Sequence, residues 1–210
     1  MPQANPYTAL IILTAGRSSR MGEPKALLRF GNRTALEIAV NNAVQAGVQR
    51  VVAVVGHRAE EIRAAHSFTG LGIQFEWAIN LESDSPMIAS LQTGLRDLES
   101  FPIDAFLFQP VDLPLITADD LSAVLGAFST DDSGARVFVP TCEGNRGHPV
   151  LCTAELAEAF LALGPEQSAR DLIAEQKVVG VETGNPGVLL DMDAPDEYRQ
   201  LKTIYMSRQR

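Results

Sequence analysis

Two unbroken apolar runs, Ala9-Leu10-Ile11-Ile12-Leu13 and Val51-Val52-Ala53-Val54-Val55, do most to limit what this chain can fold into. A strand with one wet face alternates apolar and polar residues. A continuous run rich in branched side chains suits a central parallel strand covered on both faces. Between the two runs, Leu36, Ile38, Ala39, Val40, Ala43 and Val44 recur at helical spacing over residues 35–46, and Gly47 supplies a stop. The alternation continues, with strands expected over 73–77, 105–108, 136–140, 149–152, 178–181 and 188–190. Helices are expected over 59–67, 88–98, 118–128, 154–163, 168–175 and 196–204. This order predicts an α/β fold, a three-layer sandwich with a mainly parallel, Rossmann-like sheet. A chain of 210 residues suits one core. The expectation is a single domain over 9–205, a flexible N-terminus at 1–8 and a frayed tail at 206–210.

Charge narrows the partners. The formal net charge is -9 and the sequence pI about 4.8, so bulk nucleic-acid binding is not expected. A small polyphosphate needs only a local concentration of cations. No Lys or Arg precedes Arg17, and the apolar run at 9–13 is far shorter than a membrane span. No membrane partner is expected. Cys142 and Cys152 show no CxxC spacing. A reduced, cytoplasmic setting fits them best, with a single disulfide between them left open.

Open parallel sheets bind ligands at the carboxyl ends of their strands, so the loops there are where chemistry is sought. The loop after the first run reads Thr14-Ala15-Gly16-Arg17-Ser18-Ser19-Arg20-Met21-Gly22-Glu23-Pro24-Lys25. Glycines bring backbone N–H groups close to an anion, and Arg17, Arg20 and Lys25 add charge that Glu23 only partly cancels. In an acidic chain that local excess points to a phosphate-bearing ligand. Neither GxxxxGK[ST] nor GxGxxG is present. A solvated surface loop is the competing reading.

Asp112 follows the apolar stretch at 105–108, where a carboxylate can hold Mg²⁺ for phosphoryl chemistry. It can equally cap a helix starting near Thr117. Asp191 and Asp193 are two residues apart and point the same way on an extended segment. Asp193 also reads as a helix cap ahead of Pro195. His57 and His66 read as helix-end and surface residues, with no metal spacing among them.

The stretch LTAGRSSRMGEPKALLRFG resembles the signature LxAGxSxRMGxxKxLLxxxG of the MobA/MocA-like nucleotidyltransferases. Further likenesses follow along almost the whole chain. Pro110-Val111-Asp112-Leu113-Pro114-Leu115 is similar to the family's GDMPLV, and Asp191-Met192-Asp193-Ala194-Pro195-Asp196-Glu197-Tyr198 to DIDTPEDY. The segment from Asn80 to Leu91 resembles NPxWxxGMxxSL, agreeing at Asn80, Met87, Ser90 and Leu91 while Ser85-Pro86 interrupts the usual Gly-Met, and Arg146-Gly147-His148-Pro149-Val150-Leu151 matches RGHPVL.

The resemblance implies a fold of the nucleotide-diphospho-sugar transferase type and a nucleotidyl transfer. It assigns nucleotide contact to Leu13, Thr14, Ala15, Gly16, Ser18, Arg20, Gly22, Lys25, Asn80 and Ser90. Arg20, Lys25 and Asp112 take the catalytic roles, and Arg17 falls at a variable position. Mg²⁺ falls to Asp112 and Asp193, with Asp191 in reserve. Arg146 and His148 face a phosphorylated acceptor, the alternative for His148 being a backbone cap in a turn. Ala15 agrees with the family's cytidylyl branch, which implies CTP as the favoured NTP, molybdopterin as the favoured acceptor, and a molybdoenzyme as a candidate recipient. A sugar-phosphate or polyol-phosphate acceptor is the alternative. A non-catalytic cofactor chaperone and a nucleotide-binding regulatory module are rivals from other classes. The chaperone would not need the metal-binding aspartates, and Mg²⁺-dependent turnover would remove the regulatory module.

Overall fold

The computed structural model describes residues 6–16, 20–80 and 86–209. Chain order runs β1 (Thr8–Leu13), β2 (Arg29–Phe30), β3 (Arg33–Thr34), α1 (Ala35–Gln45), β4 (Arg50–Val55), α2 (Ala59–Ala64) and β5 (Gln74–Ile79). It continues with α3 (Met87–Leu98), β6 (Ala105–Pro110), α4 (Ala118–Thr130), β7 (Val137–Cys142), β8 (Asn145–Arg146) and β9 (Val150–Thr153). The last elements are α5 (Ala157–Leu161), α6 (Ala169–Ala174), β10 (Val178–Glu182) and α7 (Pro195–Arg208).

The sheet order is β10-β7-β9-β6-β1-β4-β5, with β8 paired to β7. β1 lies parallel between β6 and β4, and all six of its residues are buried. Its side chains divide between two cores. Leu10 and Ile12 pack under α1, α4 and α7, while Ala9, Ile11 and Leu13 pack under α3 and α5. Continuous apolar runs are what such two-sided burial requires. The result is the expected three-layer sandwich. The sheet is mixed, because β9 runs antiparallel to both β6 and β7.

Three local expectations are corrected. Residues 188–190 are not a strand. Pro186–Val188 forms one 3-10 turn, started by the Asn185 side chain accepting from the Gly187 N–H at 2.9 Å. The helix expected over 154–163 is a 3-10 turn, Ala154–Leu156, followed by the short α5. His66 is buried, 9% exposed, with its ring nitrogens 2.8 Å from the Thr34 hydroxyl and 2.7 Å from the Ile62 carbonyl. The early end of α2 is what turns it inward. Cys142 and Cys152 are both free, and register explains it, because Cys152 faces Val137 at the opposite end of β7.

At the amino end of β4, Arg50 bonds to Gln74 and Glu76, and its guanidinium lies 3.3 Å from the centre of the Phe101 ring. Asp97 of α3 borders this cluster. Burial, then the hydrogen bond and charge of Glu76, push its carboxyl up to about 6, against a pull from Arg50. A folded-state pKa above the ordinary 3.8 means that the stabilising, protonated form dominates below that value. The stabilisation is lost as pH rises through about 6. Asp97→Asn is therefore expected to melt above the wild type at about pH 8 and to flatten the slope down to about pH 5. Parallel melting curves across that range would refute the assignment.

Candidate active site

The sheet register brings the carboxyl ends of β1, β4 and β6 level, because Leu13 pairs with Val54 on one side and Pro110 on the other. The loop after β1 starts from a clamp. Thr14 donates to the Val54 carbonyl through both its N–H, at 2.9 Å, and its hydroxyl, at 2.7 Å. The Thr14 hydroxyl is thus spent on the scaffold, and the residue is buried. Ala15 is buried beside it and Gly16 is exposed. Gly22 has φ +71, a conformation that glycine adopts without strain. Ser18 lies outside the described residues, together with Arg17, Ser19 and residues 81–85.

Lys25 opens a 3-10 turn, Lys25–Leu27, whose Ala26 is buried in the core. That anchor holds the lysine at the mouth of the sheet. Its Nζ donates to Asp112 Oδ2 at 2.7 Å and to Asp193 Oδ1 at 2.5 Å. Arg20, well exposed, donates to Asp193 Oδ2 at 3.0 Å. Burial pulls the Lys25 ammonium down, but the hydrogen bonds and charges of both aspartates outweigh it and raise its pKa. The Lys25 hydrogen bond, with the Lys25 and Arg20 charges behind it, lowers Asp193. Asp191 is displaced upward by local desolvation and by the charges of Asp112 and Asp193.

The two aspartates meet through the backbone between them. The Met192 N–H donates to the Asp112 carbonyl at 3.0 Å, and the Met192 side chain is wholly buried. With Met192 turned into the core, its neighbours Asp191 and Asp193 turn outward. Neither aspartate serves as a helix cap. Thr117 and Asp120 form the capping box of α4. At α7 the cap is Ala194, with Glu197 accepting from the Asp193 and Ala194 N–H groups at 2.6 and 2.8 Å. Glu197 is a support that the sequence reading missed, and its signal was the acidic residue three positions after the cap.

Asn80 and Ser90 come together, the Asn80 amide donating to the Ser90 hydroxyl at 3.0 Å, and both are buried. Gly56 was also missed. A Cβ there would stand 3.0 Å from the Ala15 Cβ and 3.3 Å from the Asn80 carbonyl, so the glycine lets the loops after β1, β4 and β5 close up. A glycine directly after an apolar run was the available signal.

Arg146 and His148 are brought to one turn on the far side of β6. The hairpin from β7 to β8 turns on Glu143 and Gly144, both at positive φ, the two-residue type that matches strand twist. Arg146 is exposed, and His148 is largely enclosed, which lowers its pKa against a smaller upward pull from Asp112. The His148 N–H donates to the Val188 carbonyl at 3.0 Å. A Cβ at Gly147 would fall 2.3 Å from that same carbonyl oxygen. Gly147→Ala is expected to cost about 1–3 kcal/mol by overpacking against backbone. Its Tm should fall by several degrees, roughly 2–4 °C per kcal/mol in a chain of this size. An unchanged Tm would show that the turn yields.

The Lys25 ammonium marks the point on which the Asp112 and Asp193 oxygens converge. Hard oxygen donors converging on one cation suit a divalent metal. Among the described residues no three His, Cys, Asp or Glu side chains form a complete cage. Among the same residues, no helix is long and apolar enough to cross a membrane.

The MobA-like NTP transferase domain is the family whose sequence model matches this chain, over residues 10–179. The chain is 24% identical to the molybdenum cofactor cytidylyltransferase of Escherichia coli (strain K12), over 93% of this chain and 95% of that one. In fold it is similar to a nucleotidyl transferase from Methanothermobacter, with TM-score 0.77 and 25% identity over 98% of this chain and all of the other. Rv0371c of Mycobacterium tuberculosis H37Rv, in a complex with manganese, matches with TM-score 0.73 and 20% identity over 95% of this chain and 100% of that one.

Proposed function

The chain belongs to the MobA-like NTP transferase family, and from that premise we propose that it transfers CMP from CTP to the phosphate of molybdopterin. In this reaction an acceptor phosphate oxygen bonds to the α-phosphorus of CTP. The bond from that phosphorus to the bridging oxygen breaks, and pyrophosphate leaves. An acceptor phosphate is already ionised at neutral pH, so no general base is needed. The observation that carries the reading is the Lys25 ammonium held between Asp112 and Asp193 at the carboxyl ends of the strands.

Lys25 and Arg20 neutralise the charge that builds on the nucleotide phosphates. Asp112 and Asp193 would hold Mg²⁺, with Asp191 in reserve, and the ion would supply positive charge to the nucleotide phosphates. Leu13 to Gly16, Gly22 and the Asn80–Ser90 pair line the nucleotide side. Arg146 and His148 serve the acceptor, whose cytidylylated product would pass to a molybdoenzyme in the cytoplasm. The choice of CTP rests on Ala15 in the loop and on the name of the Escherichia coli relative.

The test is pyrophosphate release with each of the four NTPs and Mg²⁺, with and without molybdopterin, and again with excess chelator. Release confined to CTP, dependent on molybdopterin and abolished by the chelator, is the expected result. Release with another NTP would move the nucleotide assignment. Silence with molybdopterin alongside turnover of a polyol phosphate would overturn the acceptor.

A further inference from the structure

A cavity of about 790 Å³ opens on the α3 side of the sheet and reaches Leu13 and Pro110, the last residues of β1 and β6. Its inner end therefore lies beside the Asp112 loop. Phe108, Val139 and Val150 of the sheet line it, and Met87, Ile88 and Leu91 of α3 face them. The ionisable groups lining it are Arg146, His148 and Arg170, and no Asp or Glu does so among the described residues. In a chain of net charge -9 that is a marked local departure. The volume lies within the range of sites that enclose a whole small molecule, well beyond what a phosphate alone fills.

Arg170 stands on a fastened platform. Ser168 caps α6, accepting from the Asp171 N–H at 3.3 Å, while the Asp171 carboxylate accepts from the Ser168 N–H at 2.9 Å. The Gln92 amide donates to the Phe160 and Leu163 carbonyls at 3.0 and 2.9 Å, tying the preceding segment to α3. A guanidinium at the rim of an apolar cleft offers a planar, bidentate contact to an anion. The apolar walls offer ring faces a stacking surface and offer few partners to a row of hydroxyls.

We infer that this cavity is the acceptor site and that Arg170, with Arg146, is its anion-holding residue. The site takes anions carried on a flat, fused-ring body and disfavours phosphates carried on polyhydroxylated chains. The inference rests on the transfer reading for the word acceptor. The cavity's preference can be tested without any turnover.

The probe is anilinonaphthalene sulfonate, a fused-ring anion whose fluorescence reports binding. Saturable binding near one dye per chain is expected for the wild type. Arg170→Ala is expected to weaken it about tenfold, as loss of a charge-assisted contact does. Arg33→Ala, on a different face, should leave it unchanged. Pterin-6-carboxylate should displace the dye and glycerol 3-phosphate should not. Absent saturable binding, equal affinity in Arg170→Ala, or displacement by both competitors alike would overturn the inference. If molybdopterin turns over, Arg170→Ala should raise its KM about tenfold with the KM for CTP unmoved, and a shift in the CTP value instead would also overturn it. Failure of molybdopterin to react sinks the molybdopterin reading, while the dye titration still decides the cavity.

Discussion

Asp112→Ala is expected to lower pyrophosphate release by about a thousandfold or more, the scale lost when preorganised charge at a reacting phosphate is removed. The fold should persist. The Asp112 carbonyl that accepts the Met192 N–H is backbone and survives the substitution. Lys25 keeps its contact with Asp193. The cost to stability should stay within about 1 kcal/mol, the range of partly exposed ion pairs, and hence within a few degrees of Tm. Mn²⁺ binding followed by electron paramagnetic resonance should weaken in the same variant. Release within about tenfold of wild type, in a variant that melts normally, would remove Asp112 from the chemistry.

Lys25→Ala is expected to reduce turnover by about a hundredfold or more, through loss of the charge that meets the nucleotide phosphates. Its second signature separates it from a folding defect. The ammonium occupies the meeting point of the Asp112 and Asp193 oxygens. Removing it leaves two facing carboxylates, which repel each other and favour a divalent cation. Mn²⁺ should therefore bind the nucleotide-free variant more tightly than the wild type, although catalysis is worse. Retained turnover, or metal binding weakened in parallel with activity, would show that Lys25 acts otherwise.

Two residues show where sequence reading ran short. Arg170 carried no signal because an arginine on a short helix reads as solvated. Only the tertiary structure places it beside a cavity. His66 read as a surface residue because the periodicity of 59–67 promised a longer helix than the chain forms. The bond to Thr34 spans 32 residues and has no local trace.

What the sequence by itself determined is local or repetitive. Unbroken apolar runs specified buried strands, because a strand with two dry faces has no polar position. Helical spacing with Gly47 as a stop specified α1 and its end, because these signals act within a turn or two of chain. The cationic loop after β1 was legible as a departure from an acidic background. Only the tertiary structure decided the rest. The direction of β9 depends on neighbours that its few residues do not encode, since an antiparallel insert and a parallel strand bury the same side chains. The meeting of Lys25 with Asp193, 168 residues away, depends on Met192 being drawn into the core and on its N–H finding the Asp112 carbonyl. Burial of that one apolar side chain turns two adjacent carboxylates outward toward the phosphate loop, and no spacing in the chain records the distance they then share.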